Sequence, residues 1–146
     1  MALGQRILGG GTPVVVQPAV PSVATEGEIG AVLFDGEVSH TIRKGAILPL
    51  GGGLRGGDSA VQVEAEGLRA DQERVVATAV DAVSRIAVDR LGVLVPLLYA
   101  RVDLVRAEDR RNLVLEVELN EPSFFLPVDV GAADRFVDAI LRHVGA

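Results

Sequence analysis

The stretch Leu98–Pro122, LYARVDLVRAEDRRNLVLEVELNEP, decides how the rest of the chain is read. Two aliphatic runs flank a polar turn over residues 106–111. Alternation along a strand sends neighbouring side chains to opposite faces. In the first run Ala100, Val102 and Leu104 share one face, and Tyr99, Arg101 and Asp103 the other. In the second, Leu113, Leu115, Val117 and Leu119 share one face, and Val114, Glu116 and Glu118 the other. A hairpin closed by the turn predicts Arg101 opposite Glu116 and Tyr99 near Glu118. Asp103 then lies diagonal to Glu116, about 7–8 Å away between α-carbons.

The polar face of that hairpin carries three carboxylates, Asp103, Glu116 and Glu118, and one guanidinium, Arg101. Carboxylates this close repel unless positive charge sits among them. A hard divalent cation such as Mg²⁺ supplies that charge through oxygen ligands. Cross-strand ion pairs on a solvated sheet face also supply it. Pattern alone leaves both readings open.

The chain has 146 residues, enough for one domain with its own core. Hydrophobic residues make up 49% of it, which argues against disorder. A net charge of −6 with no basic patch argues against nucleic-acid binding, and 3% aromatic residues leave no platform for base stacking. Cysteine is absent, so there is no disulfide and no thiolate site. The first residues lack a secretory pattern and no apolar run reaches membrane-spanning length, so the expected location is cytoplasmic. No internal repeat is present.

Residues 1–8 read as a helix stopped by three glycines, and Pro13–Gln17 as a short buried strand ended by Pro18 and Pro21. Ile29–Phe34 and Glu37–Arg43 flank Asp35-Gly36, a two-residue hairpin signal. Regular pairing puts Ile29, Ala31 and Leu33 with Val38, His40 and Ile42 on one face. Glu28, Val32 and Phe34 join Glu37, Ser39, Thr41 and Arg43 on the other, with Glu28 in reach of Arg43. His40 reads as a satisfied core residue. Leu50–Gly57 lacks the Gly-Lys-Ser/Thr ending of a phosphate loop and reads as a flexible loop. Ser59–Glu64 reads as a strand. Asp71–Leu91 reads as the longest helix, capped by Asp71 and stopped by Gly92, with Val76, Val80, Val83, Ala87 and Leu91 inward. A Phe124-Phe125-Leu126 plug follows the hairpin. Gly131–Val144 is a last amphipathic helix, with Ala132, Phe136, Ile140 and Val144 inward. The expected fold class is α+β: an antiparallel sheet of two hairpins plus short strands, backed by two helices.

Arg101-Val102-Asp103 on one strand and Glu116-Val117-Glu118 on the next resemble the metal-binding hairpin of the ATP-grasp carboxylate–amine ligases, the family of D-alanine–D-alanine ligase and glutathione synthetase. The segment EPSFFLPVDVGAADRF, residues 121–136, resembles the subgroup that includes the cycloserine cyclo-ligase. The resemblance implies ATP and Mg²⁺ as cofactors. It implies Asp103 and Glu116 as metal ligands, with Glu118 where the family usually has Asn, and Arg101 steadying the charge of acyl-phosphate and tetrahedral states. It implies that Gln17, Ala19 and Val20 form the adenine hinge, where Pro18 offers no N–H. It implies that Glu28 accepts the ribose hydroxyls and that Arg43 and Lys44 face phosphate or the substrate carboxylate. A loop near 50–57 becomes a lid over the substrate.

The resemblance takes in nearly all of the chain but only the C-terminal lobe of the family. Residues 1–146 are therefore expected to form that single domain, without the N-terminal lobe and the domain before it. The implied reaction joins a small carboxylate to an amine through an acylphosphate, and little turnover is expected from this lobe alone. The expected partners are ATP, the two substrates, and a second chain or second copy completing the site, with neither nucleic acid nor membrane among them. A reading from another class is a non-catalytic binding or interaction module, a remnant of such a domain, which has no need of the carboxylate cluster.

Overall fold

Two strands of buried residues form the centre of the molecule. The computed structural model describes residues 2–45, 63–94 and 96–145. Strand β1 (Glu28–Phe34) is buried at every position, and β4 (Tyr99–Arg106) at every position but its ends. They pair antiparallel, with β2 (Glu37–Lys44) beyond β1 and β5 (Asn112–Glu118) beyond β4. The short β3 (Val63–Ala65) adds to β2, giving the antiparallel order β3-β2-β1-β4-β5. Among the described residues four α-helices accompany the sheet: α1 (Ala2–Gly9), α2 (Val23–Glu26), α3 (Ala70–Leu91) and α4 (Ala132–Val144). The expected α+β class and both hairpins are borne out. The Asp35-Gly36 turn has the two positive φ angles that this short connection requires.

The two larger helices cover opposite faces of the sheet. Ile29, Ala31, Leu33, Ala100, Val102 and Leu104 pack against Val76 of α3, with Leu68, Val75, Ala79 and Val80 around them. On the other face Val32 and Phe34 meet Ala139 and Phe136 of α4 together with Tyr99, Phe124 and Leu126. Phe34, Phe124 and Phe136 stack with centroids 4.8–5.3 Å apart. Each fully buried aliphatic or aromatic side chain contributes about 1.5–3 kcal/mol of transfer free energy. The second face is therefore apolar only at the Phe34 end. At its other end lie the charged residues of β4 and β5.

Two bulges correct the registers expected from regular alternation. In the first hairpin the pairing shifts between Val32 and Leu33, so Val32 faces His40, Gly30 faces Ile42 and Glu28 faces Lys44. His40 and Ile42 thus share a face with Val32, and Arg43 falls on the face of Ile29. In the second hairpin the shift lies between Asp103 and Leu104, so Arg101 faces Glu118 and Asp103 faces Glu116. Each bulge inserts one unpaired residue and re-aims the strand beyond it.

Other expectations are also corrected. Residues 13–17 form no strand, and Val15 and Val16 stand exposed. Helix α3 is capped at Arg69, whose N–H donates to the Gln72 side chain (2.9 Å), while Asp71 instead accepts from Asn112 (2.6 Å). Its inward contacts fade after Val80, and Leu91 is exposed. Helix α4 buries Ala132 and Ala139, while Val144 and Ile140 reach solvent beyond the sheet edge. Gly92 ends α3 in the left-handed conformation, as the sequence predicts. The strand read at 59–64 appears as Val63–Ala65, and the glycine-rich 50–57 lies outside the described residues. No helix among the described residues is long and apolar enough to cross a membrane.

Gly27 holds φ at +70°, and a Cβ there would overlap the Lys44 carbonyl oxygen. Gly36 holds φ at +80° with open space around it. Gly36→Ala should therefore cost about 1 kcal/mol of conformational strain. Gly27→Ala, which adds a backbone collision, should cost at least about 2 kcal/mol more. Urea melts of both variants check the difference, and equal costs would refute it.

Candidate metal and nucleotide site

The cross-strand pairs place Lys44, Glu28, Gly30, Asp103, Arg101, Glu116 and Glu118 on one face of four adjacent strands. Asp103 is the centre of the group and has no exposed surface. Arg101 grips it along one edge, donating from Nε to Oδ1 at 3.0 Å and from Nη2 to Oδ2 at 2.8 Å. Lys44 Nζ donates to Oδ2 at 2.6 Å. Lys44 is also 3.0 Å from Glu28 Oε2. Arg101 pairs in addition with Glu118, lies 3.5 Å from Glu116 Oε1, and donates to the Ser123 carbonyl at 3.2 Å. The Phe125 ring, on a residue with φ of 51°, lies 5.8 Å from the guanidinium carbon.

The face is not a solvated outer surface. Lys44, Arg101 and Glu28 are buried along with Asp103, and only Glu116 (49% exposed side chain) and Glu118 (30%) open to solvent. Burying Asp103 by itself would raise its pKa. The hydrogen bonds from Arg101 and Lys44, and their charges, outweigh that and hold the carboxyl below its usual range. Arg101 loses hydration by burial too, yet Asp103, Glu118 and Glu116 keep it more firmly protonated than a free guanidinium. Glu116 behaves oppositely. Partial burial, then hydrogen bonding and repulsion from Asp103 and Glu118, push its carboxyl up to about 7.

Oxygens of Asp103, Glu116 and Glu118 lie within 4.8 Å of one another. Four carboxylates here face two cations, so the fully ionised group carries an excess of two negative charges. That donor set fits a hard divalent ion bound through oxygen.

The other sequence-derived candidates are distributed as follows. Glu28 and Lys44 join the cluster, and they pair with each other where regular alternation put Glu28 beside Arg43. Arg43 does not join it. It sits on the α3 side of the sheet, 3.1 Å from Glu66. Gln17 and Ala19 are exposed and Val20 half-buried, with Ala19 and Val20 lining an open depression against Ala107–Asp109 and Leu113 at the turn end of the β4–β5 hairpin. His40 is satisfied, as its position implied: its Nε2 lies 2.6 Å from the Phe124 carbonyl. Sequence reasoning missed Gly30, where a Cβ would come 2.8 Å from Asp103 Oδ1. A glycine inside a strand was the available signal.

No protein-family model matches the chain. Over 145 residues it is 40% identical to the cycloserine biosynthesis protein DcsG of Streptomyces lavendulae, a match covering 95% of this chain and 45% of that protein. The crystal structure of the D-cycloserine synthetase DcsG matches with a TM-score of 0.80 at 38% identity, again over 95% of this chain and 45% of that one. The chain thus spans less than half the length of this relative, over its C-terminal part. The D-alanine–D-alanine ligase of Bacillus anthracis complexed with ATP matches at 24% identity and a TM-score of 0.46, over 79% of this chain and 36% of that one, too remote a likeness to carry weight.

The raised Glu116 carboxyl links the cluster to stability. A folded-state pKa of about 7 against an ordinary 4.5 contributes stability that is complete below 4.5 and lost as pH rises through 7. Solvent screening at this half-exposed group reduces the loss to about 1 kcal/mol. Glu116→Gln should therefore melt roughly 2–4 °C above the wild type at pH 8 in chelator, and with it at pH 5. Coincident melts at both pH values would refute the assignment.

Proposed function

We propose that the chain is a relative of the ATP-grasp ligases, a reading its likeness to DcsG supports, and that it forms the lobe holding Mg²⁺ and nucleotide in an ATP-dependent carboxylate–amine or cyclo-ligase. The observation that carries this reading is the carboxylate cluster of Asp103, Glu116 and Glu118 beside Arg101 on a largely buried sheet face. A purely structural face gains nothing from two uncompensated negative charges.

Asp103, Glu116 and Glu118 would hold Mg²⁺. When bound, the ion supplies positive charge that offsets the charge of the phosphates. The remaining work falls to the chain's own residues. Arg101 presents a fixed guanidinium to an oxyanion, and its bonds to Asp103, Glu118 and the Ser123 carbonyl hold it without reorganisation. Glu118 brings one charge more than the Asn usual in the family, and the pairing with Arg101 offsets that charge. Glu28 accepts the ribose hydroxyls, and the backbone at Gln17, Ala19 and Val20 receives the adenine edge. Lys44, not Arg43, is the cation on the site face.

In the proposed reaction a substrate carboxylate attacks the γ-phosphorus of ATP and expels ADP to form an acylphosphate; an amine then attacks its acyl carbon, expels phosphate and loses a proton to give the amide. The likeness to a D-cycloserine synthetase favours a small substrate derived from an amino acid. A phosphate clamp from a further lobe completes the site, so residues 1–146 by themselves bind metal–nucleotide with little turnover.

Calorimetric titration of Mg²⁺–ATP into the purified chain tests the reading. Wild type should bind, and Glu116→Gln should bind at least about tenfold more weakly, or 1.4 kcal/mol. Equal binding by the variant, or none by wild type, would assign the chain to a non-catalytic module.

A further inference from the structure

The chain contains one lysine, Lys44, against thirteen arginines. That lysine is buried, with 4% of its surface exposed, between two carboxylates: Asp103 at 2.6 Å and Glu28 at 3.0 Å. Everywhere else the sequence meets its need for a cation with arginine. A guanidinium is planar and bulky, and it binds carboxylates in a fixed fork. An ammonium is a compact point charge on a flexible stem, which can leave one oxygen for another without breaking a bidentate pair.

Asp103 has little spare capacity in this state. Arg101 takes Oδ1, and Arg101 and Lys44 together take Oδ2. Glu116 and Glu118 keep solvent-facing surface, so a cation arriving from water meets them first. It can take the Oδ2 of Asp103 only where Lys44 gives that oxygen up. Arg101 is unsuited to that exchange, because it is fixed at four points: both Asp103 oxygens, Glu118 and the Ser123 carbonyl. Among the described residues Lys44 is tethered only by the two carboxylates.

We propose that Lys44 is an internal stand-in for the divalent cation, neutralising Asp103 while the metal is absent and released from it when the metal binds. This inference rests on the metal-site reading above. The stand-in answers a physical need: without it Asp103 would be a fully buried carboxylate balanced only by an arginine that Glu118 and Glu116 also share. It also couples two ligands. A hydroxyl-bearing ligand on Glu28 loosens one tether of Lys44, and a cation on Asp103 loosens the other, so by reciprocity each eases the entry of its counterpart.

A single lysine makes the exchange directly readable. Amine-reactive labelling of the intact wild-type chain, resolved from the N-terminal amine by peptide mass spectrometry, reports the freedom of Lys44. Labelling should rise at least fivefold on saturation with Mg²⁺ alone. Mg²⁺ titrated without nucleotide into Lys44→Met, checked for folding by its melt, should bind at least fivefold more tightly than to wild type, because the competitor is gone. If Mg²⁺ binds wild type while labelling stays flat or falls, the stand-in is overturned and the metal site stands. Equal or weaker binding by folded Lys44→Met overturns it likewise. If neither protein binds Mg²⁺ at all, the metal site and the stand-in both fail.

Discussion

A carboxylate with no exposed surface lies in the middle of the sheet, and the structure around it is arranged to keep its charge. Moving such a group out of water costs several kcal/mol even after relaxation, and removing a partner from a buried pair typically costs about 3–5 kcal/mol. Asp103 meets this with Arg101 two residues earlier on its own strand and Lys44 two strands away. The second contact spans β1, and it exists because β1 carries Gly30 where any larger residue would push Asp103 aside. It exists also because Lys44 ends β2 directly opposite Glu28. One buried charge thus fixes a glycine, a strand end and the register of three strands.

The two sides of the sheet differ in character. Along β1 and β4 the α3 side is aliphatic, from Leu33 and Ala100 to Ile29 and Leu104. The other side is split, with an aromatic knot of Phe34, Tyr99, Phe124 and Phe136 at one end and the ionic cluster at the other. The knot anchors the chain after β5, and from there Ser123 and Phe125 reach Arg101. A rigid apolar anchor therefore supports the polar contacts beside it, which is the usual requirement for a preorganised site.

Much of this was legible in the sequence. The four strands of the two hairpins, the Asp35-Gly36 turn, the long helix with its Gly92 stop, and the grouping of Asp103, Glu116, Glu118 and Arg101 follow from hydrophobic periodicity and turn chemistry. What escaped was the partner of each residue. Alternation assumes an unbroken ladder, and one extra residue in each hairpin moves the pairing by one position. That moved Glu28 from Arg43 to Lys44; in the second hairpin Arg101 faces Glu118, two positions from the expected Glu116, one of them due to the bulge. Bulges leave no mark in hydrophobicity, so residue types were recovered where contacts were not. The exposed Val15 and Val16 illustrate a second limit: strand propensity depends on context, and a run of valines need not become a strand.

The aromatic knot also determines what an optical experiment on this protein can see. The chain has no tryptophan and one tyrosine, and Tyr99 sits inside the knot, with its ring 5.1 Å from that of Phe124. Its fluorescence therefore samples only the site side of the sheet. Far-ultraviolet circular dichroism is weighted instead toward the 22 residues of α3, on the reverse side. The two signals act as reporters for the two halves of one sandwich. Whether they lose structure together measures how firmly β1 and β4, the only layer common to both, bind the halves into a single cooperative unit.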